Sequence, residues 1–194
     1  MIIVRHGETL ENARHVCQGQ SHGTLSSRGV EEALLTGEAL RHEPFVRCHT
    51  SDLGRAERTA RLILSRHAGL PVPLVLDRRL RERYFGSFEG KVFPPYSQET
   101  VPLEEVEKAP AIARRLRSFL DEIVPMYGPG ETVLILSHGF TLRVLMALLR
   151  GIDPETIADV RTPGNCSVTE VLAAAPGDFQ ILRSDDRTHL AALL

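Results

Sequence analysis

Residues 1–9 read Met1-Ile2-Ile3-Val4-Arg5-His6-Gly7-Glu8-Thr9, and this stretch decides the fold. A short apolar run that stops at polar residues and a glycine is typical of a buried strand. Ligand sites in open α/β sheets lie at the carboxyl ends of strands. There, arginine offers a planar fork of donors for phosphate oxygens, and histidine serves as a nucleophile or a proton carrier. The stretch predicts an anion site at the end of a first strand.

Strands and helices alternate along the rest of the sequence. Apolar runs predict strands at 1–5, 45–51 and 132–136, a short extended piece ending near Leu76, and closing strands at 168–172 and 179–182. Between them, patterns and breakers predict loops at 11–25 and 91–102 and helices at 26–41, from about 55 to 67, from about 103 to 127, and at 140–150. This alternation predicts an α/β fold, a three-layer sandwich with a mainly parallel central sheet, as a single domain over residues 1–194.

Composition excludes several classes of function. The chain has 194 residues and a net charge of -2, so no overall field favours nucleic acid or an anionic membrane. No apolar run reaches the roughly 18 residues of a membrane-spanning helix. The three cysteines are widely spaced and odd in number, which predicts neither a disulfide framework nor a metal site and favours a cytoplasmic location.

Three predicted strand ends supply the parts of a phosphoryl-transfer site. The second and third strands run into Ser51-Asp52-Leu53-Gly54-Arg55 and Ser137-His138-Gly139. If these ends are neighbours, two arginines and two histidines converge on one pocket: Arg5, Arg55, His6 and His138. The helix that begins near Arg55 adds its amino-terminal amides and the positive end of its dipole. Such a pocket suits a dianionic phosphoryl group, and a neutral histidine can attack its phosphorus atom.

The departing oxygen needs a proton, which a carboxylic acid supplies before it activates water as a carboxylate. Glu82, in Leu80-Arg81-Glu82-Arg83-Tyr84-Phe85-Gly86, is the best candidate. Glu8 and Glu89 compete with it, since spacing alone does not separate the three.

These segments together resemble the histidine phosphatase superfamily, the phosphoglycerate-mutase-like group. The resemblance spans nearly the whole chain and rests on motifs in the family's order: Arg5-His6-Gly7-Glu8-Thr9 with Asn12, Ser51-Asp52-Leu53 with Arg55-Ala56, Leu80-Arg81-Glu82 with Phe88-Glu89-Gly90, and Ser137-His138-Gly139. Within the superfamily, residues 18–20 and 80–91 are similar to the TIGAR-type, fructose-2,6-bisphosphatase and broad-specificity phosphatase branch.

The resemblance implies a role for each site residue. His6 would be the phosphorylated nucleophile and Glu82 the acid and then the base, while the phosphoryl oxygens would be bound by Arg5, Arg55 and His138. Substrate contacts would come from Asn12, Gln18, Gly19 and Gly139. The family's chemistry needs neither a metal nor a cofactor.

The resemblance predicts a phosphoric monoester hydrolase that acts on a small phosphorylated molecule, of the sugar phosphate or phosphoglycerate type. A cofactor-dependent phosphoglycerate mutase is the alternative, and a catalytically silent domain that binds a phosphorylated ligand is a third interpretation. Mutases carry a longer insertion with paired basic residues after Lys91, whereas Arg114-Arg115 lies inside the predicted helix. The substrate, a homodimeric state, and the roles of His22 and Cys17 stay open from sequence.

Overall fold

A six-stranded sheet forms the centre of the computed structural model, which describes residues 1–92 and 104–193. Its strands are β1 (Ile2–Arg5), β2 (Phe45–Thr50), β3 (Leu74–Leu76), β4 (Thr132–Ser137), β5 (Val168–Ala175) and β6 (Asp178–Asp186). They lie in the order β3-β2-β4-β1-β5-β6. The first four strands pair in parallel, and β5 and β6 continue the sheet as an antiparallel hairpin. The predicted mainly parallel sheet is confirmed.

Five helices accompany the sheet: α1 (Leu10–Ala13), α2 (Ser27–Ala39), α3 (Gly54–Leu64), α4 (Ala109–Ile123) and α5 (Gly139–Leu149). Successive side chains of a strand point to opposite faces. Ile3 and Ile135 are buried with α4 and α5 on one face, whereas Ile2 and Leu134 are buried with α3 on the other. Since α2 packs on α3, the sheet is the middle of three layers.

Several predicted bounds differ from the structure. The helix expected from about residue 103 begins at Ala109, because Pro110 occupies its first turn, where proline leaves no hydrogen bond unmade. The predicted loop at 11–25 contains α1, which a reciprocal capping box between Thr9 and Asn12 supports. The second predicted helix ends at Leu64 rather than His67. The loop predicted at 91–102 lies, from residue 93 onward, outside the described residues.

The strand ends meet as the sequence predicts. β1 and β4 are neighbours, with Arg5 opposite Ser137. The His6 amide donates to the Ser137 carbonyl at 3.1 Å, and the Ser51 amide at the end of β2 donates to the Leu136 carbonyl at 3.1 Å. Three motif-bearing ends therefore share one edge of the sheet.

Over the described ranges, no helix has both the length and the hydropathy that crossing a membrane requires.

Candidate active site

A cavity of about 240 Å³ opens at this edge of the sheet. Its walls are formed by Arg5, His6, Asn12, His15, Val16, Cys17, Gln18, Gly19, Arg55, Glu82 and Phe85. Seven of the nine predicted site residues are among them. The other two, His138 and Gly139, lie behind the wall.

The His6 ring is held as a neutral imidazole. Its Nδ1 lies 2.7 Å from the Gly7 carbonyl oxygen, which only accepts hydrogen bonds, so Nδ1 carries the proton. The Nε2 atom accepts a hydrogen bond from Arg55 Nε at 3.3 Å. Burial, together with the charges of Arg55 and Arg5, holds the pKa of His6 well below its ordinary value. The ring therefore keeps a lone pair on Nε2 at neutral pH.

Arg55 is a buried cation and Arg5 a partly buried one, and apart from the bond of Arg55 Nε to His6 their hydrogen bonds go to carbonyl oxygens. Arg55 is 1% exposed, and its Nη atoms donate to the carbonyls of Ser21 at 2.5 Å and Gly19 at 2.7 Å. Arg5 donates to the Pro163 carbonyl at 2.7 Å, and its buried Nε has no partner within the described ranges. Burial lowers the pKa of both groups, that of Arg55 to about 10, so both remain charged at neutral pH. Buried charge without a carboxylate partner is costly, and a bound anion offsets that cost.

Glu82 presents a carboxylate whose two oxygens differ. Oε1 accepts from the Arg83 amide at 2.8 Å and from the Thr141 amide at 3.0 Å, and it lies 3.1 Å from the Thr141 hydroxyl oxygen. Oε2 accepts from the Phe140 amide at 3.1 Å. Oε2 therefore has the greater remaining capacity to carry a proton. Two of these donors belong to the first turn of α5, where amides have no partner inside the helix.

The competing carboxylates are engaged elsewhere. Glu8 Oε1 accepts from the Ser26 hydroxyl at 2.7 Å, and Glu8 does not line the cavity. Glu89 Oε1 accepts from the amides of Gln20 at 2.9 Å and Phe85 at 3.1 Å. Gly19 has a φ of +50°, and a Cβ atom there would lie 2.0 Å from Glu89 Oε1, so only glycine fits. Glu89 thus holds two segments of the cavity wall together.

His138 and Gly139 support the site from behind. The rings of His138 and His6 have centroids 5.1 Å apart. His138 is fully buried, and neither of its ring nitrogens has a partner in the part of the chain that is described. Burial and the nearby charge of Arg55 hold the pKa of His138 well below its ordinary value. A Cβ atom on Gly139 would lie 3.2 Å from Arg5 Cζ, so glycine lets the guanidinium approach α5 closely.

The first amides of α3 do not face the cavity, contrary to the sequence prediction. The Gly54 amide donates to His22 Nδ1 at 3.1 Å, and the Arg55 amide donates to the His22 carbonyl at 3.2 Å. His22 thereby caps the helix from the preceding loop. The amides that serve the site belong to α5, and they bind Glu82.

A family model describing branch 1 of the histidine phosphatase superfamily matches residues 1–187. The chain belongs to this superfamily. A relative, the 2,3-bisphosphoglycerate-dependent phosphoglycerate mutase 2 of Gloeobacter violaceus, is 33% identical over 175 residues, which cover 82% of this chain and 80% of the relative. This histidine phosphatase superfamily member is an enzyme that acts on phosphate esters.

Solved structures of the superfamily share the whole architecture. YhfR of Bacillus stearothermophilus superposes with a TM-score of 0.87 at 28% identity, covering 97% of this chain and 98% of the other. The phosphoglycerate mutase of Bacillus anthracis superposes with a TM-score of 0.82 at 26% identity, covering 97% of this chain and 93% of the other. The fold expected from the resemblance is confirmed.

Three wall residues of this superfamily member were not predicted from the sequence, His15, Val16 and Phe85, whereas Cys17, whose role the sequence left open, also lines the cavity. His15 adopts a φ of +55°, which places an exposed side chain at the rim. Burial raises the pKa of the Cys17 thiol to about 11, which keeps it protonated. No group of three or more potential metal ligands was found in the described ranges.

Proposed function

We propose that this enzyme is a metal-independent phosphatase that hydrolyses a small phosphomonoester through a phosphohistidine at His6. One observation carries the proposal: the buried guanidinium of Arg55 and the partly buried guanidinium of Arg5 flank a neutral imidazole whose Nε2 faces Arg55. A phosphoryl dianion satisfies both cations and brings phosphorus to the nucleophile. The protein also holds an acid, Glu82, in the same cavity.

The reaction proceeds in two displacements. In the first, His6 Nε2 bonds to phosphorus while the ester P–O bond breaks, and the departing oxygen takes a proton from the Glu82 carboxylic acid. The Gly7 carbonyl accepts from Nδ1–H and stabilises the charge that develops on the ring. In the second, water attacks phosphorus, Glu82 takes its proton, and the P–N bond breaks. Arg5 and Arg55, which line the cavity, stabilise the oxygens throughout.

A phosphoglycerate mutase is the second candidate, because a relative with this name is 33% identical. A mutase must hold a substrate that carries a carboxylate, and a bisphosphate, beside the phosphoryl site. In the described part of the cavity, the wall contains no lysine and no arginine besides Arg5 and Arg55, and its other side chains, apart from Glu82 and two imidazoles, are uncharged. Such a wall favours an ester whose leaving group is uncharged, which supports hydrolysis of a sugar phosphate type of substrate over mutase transfer.

Phosphate release from a panel of small esters, measured in chelator with His6→Ala as control, tests the proposal. We expect turnover of at least one ester and its loss in His6→Ala. Interconversion of phosphoglycerates that depends on a bisphosphate primer would favour the mutase instead. Stoichiometric binding without turnover would show a silent domain. Loss of activity in chelator that a divalent cation restores would contradict the metal-independent mechanism.

We propose that the enzyme works in the cytoplasm. Its three cysteines are buried free thiols, which suits a reducing compartment.

A further inference from the structure

The chain segment that carries Glu82 is held by a row of side-chain hydrogen bonds. The four consecutive backbone carbonyls from Arg79 to Glu82 each accept at least one hydrogen bond from a side chain. The Leu80 carbonyl accepts from the Ser137 hydroxyl at 2.7 Å, and the Arg81 carbonyl from the Thr141 hydroxyl at 2.8 Å. Backbone groups of a loop are seldom fixed so completely by side chains. The segment therefore has one conformation imposed from outside.

Arg115 of α4 contacts both ends of this row. Its Nη1 donates to the Arg79 carbonyl at 2.5 Å, and its Nη2 lies 3.4 Å from the Glu82 carbonyl. The same Nη2 lies 3.4 Å from the Thr141 hydroxyl, which itself contacts the Glu82 carboxylate. Arg115 thus reaches the backbone and, through Thr141, the carboxylate of the proposed acid. It does not line the cavity.

Glu107 fixes the guanidinium of Arg115. The two carboxylate oxygens of Glu107 accept from Nε at 2.9 Å and Nη2 at 3.1 Å, and both side chains are less than one-fifth exposed. A bidentate pair sets the plane of the guanidinium as well as its position. The Glu107 amide also donates a hydrogen bond of 2.9 Å to the carbonyl of Tyr84, two residues after Glu82. The donors of Arg115 are therefore aimed before any substrate binds.

We propose that Arg115 is a positioning residue that presents the Glu82 carboxyl group to the departing oxygen of the substrate. The inference rests on the proposed function, because it assigns Glu82 as the acid. Proton transfer needs heavy atoms at hydrogen-bonding distance, and a displacement of about 1 Å costs on the order of 100-fold in rate. Removing Arg115 frees the Arg79 carbonyl and leaves the Glu82 carbonyl with only the Gln20 side-chain amide at 3.2 Å, while His6, Arg5 and Arg55 stay in place.

Leaving-group dependence separates this role from a general structural one. An alkyl phosphate needs the proton from Glu82, whereas 4-nitrophenyl phosphate releases a stable phenolate without one. We expect Arg115→Met to lower kcat/KM for an alkyl phosphate by roughly 10- to 100-fold and for the nitrophenyl ester by less than about threefold. Arg114→Met is the matched control, since Arg114 is the neighbouring exposed residue of α4, and it should change neither value.

Glu82→Gln decides whether the proposed function or this inference fails. If Glu82→Gln lowers kcat/KM equally for both esters, Glu82 is not the acid and the mechanism under the proposed function is wrong. If Glu82→Gln lowers kcat/KM more for the alkyl phosphate than for the nitrophenyl ester, but Arg115→Met lowers both values equally, Arg115 is only structural and the inference is overturned. Arg115→Lys guards against a folding defect in the Met variant. One ammonium group spans less than the guanidinium fork. We therefore expect Arg115→Lys to lower kcat/KM for the alkyl phosphate about three- to tenfold more than for the nitrophenyl ester, and an unchanged ratio of the two values would overturn the inference.

Discussion

Arg55 Nε donates a hydrogen bond of 3.3 Å to His6 Nε2. The guanidinium proposed to bind the phosphoryl group is therefore hydrogen-bonded to the lone pair of the proposed nucleophile. An arriving phosphoryl group competes for the same donor. When its oxygens take over the guanidinium, Nε2 is released at the moment its target is in place. This coupling keeps the ring in one tautomer in the free enzyme.

Glu82→Gln should accumulate the phosphorylated enzyme. The amide cannot take a proton from water, so the second displacement slows by roughly 100-fold or more, while a nitrophenyl ester still phosphorylates His6. Rapid-quench labelling should show close to one acid-labile, base-stable phosphoryl group per chain. The double variant His6→Ala/Glu82→Gln is the control and should carry no label. A label that survives acid would contradict a phosphohistidine.

Arg5→Met should weaken inorganic phosphate binding by roughly 10- to 100-fold, the loss expected for a charged hydrogen bond. The same change should raise the free energy of unfolding in phosphate-free buffer by about 1 kcal/mol, because it removes a desolvated cation whose Nε has no hydrogen-bond partner in the described residues. Titration calorimetry and urea unfolding measure the two effects. Arg58→Met, on the exposed side of α3, is the control. Equal phosphate affinity for Arg5→Met and wild type would exclude Arg5 from the site.

The free energy of unfolding should fall as the pH drops below about 6.5, partly through His138. Its pKa in the folded protein is well below the ordinary value, so above pH 6.5 the ring is neutral in both states and has no effect. Below pH 6.5 the unfolded chain binds the proton and the folded chain does not. His138→Gln should reduce the slope between pH 6.5 and 5.5 by about 1 kcal/mol per unit.

Urea unfolding in phosphate-free buffers measures this slope. The exposed His42 offers the matched control, and His42→Gln should keep the wild-type slope. Identical slopes for His138→Gln and wild type would mean that the His138 ring titrates alike in both states.

Cys17 should react slowly despite lining the cavity. With a pKa of about 11, only a small fraction of the thiol is ionised at pH 7.5. We expect iodoacetamide to label Cys17 more than about 10-fold slower in the native enzyme than in urea, and Cys17→Ser to retain activity. Peptide mass spectrometry follows the label. Fast native labelling that inorganic phosphate blocks would mean that the thiol is ionised in the site.

The sequence predicted the parts of the site that depend on strand ends, because a buried parallel sheet leaves few arrangements for them. Arg5, His6 and the β4 end meet for this reason. The loop at 14–24 has no periodicity, and its conformation depends on contacts distant in sequence. For this reason, the sequence did not predict that His22 caps α3 or that His15 lies in the wall.

The position of His138 was predicted and its surroundings were not. Register places it beside His6, but whether a ring faces the cavity or lies behind another ring depends on packing across layers. The role of Arg115 was hidden in the same way. The helical pattern predicts the face of α4 on which Arg115 lies. The carbonyls that Arg115 contacts, those of Arg79 and Glu82, belong to a segment whose path cannot be predicted from periodicity.

The place of β1 inside the sheet has a consequence for synthesis of the chain. Ile2 pairs with Leu134 on one side and Glu170 on the other, so both neighbours of β1 are made more than 125 residues later. Such distant pairing slows folding and leaves an apolar strand uncovered on the ribosome. A nascent chain that already displays its Arg-His pair lacks the assembled site until β4 emerges, so activity depends on a strand that is made late in synthesis.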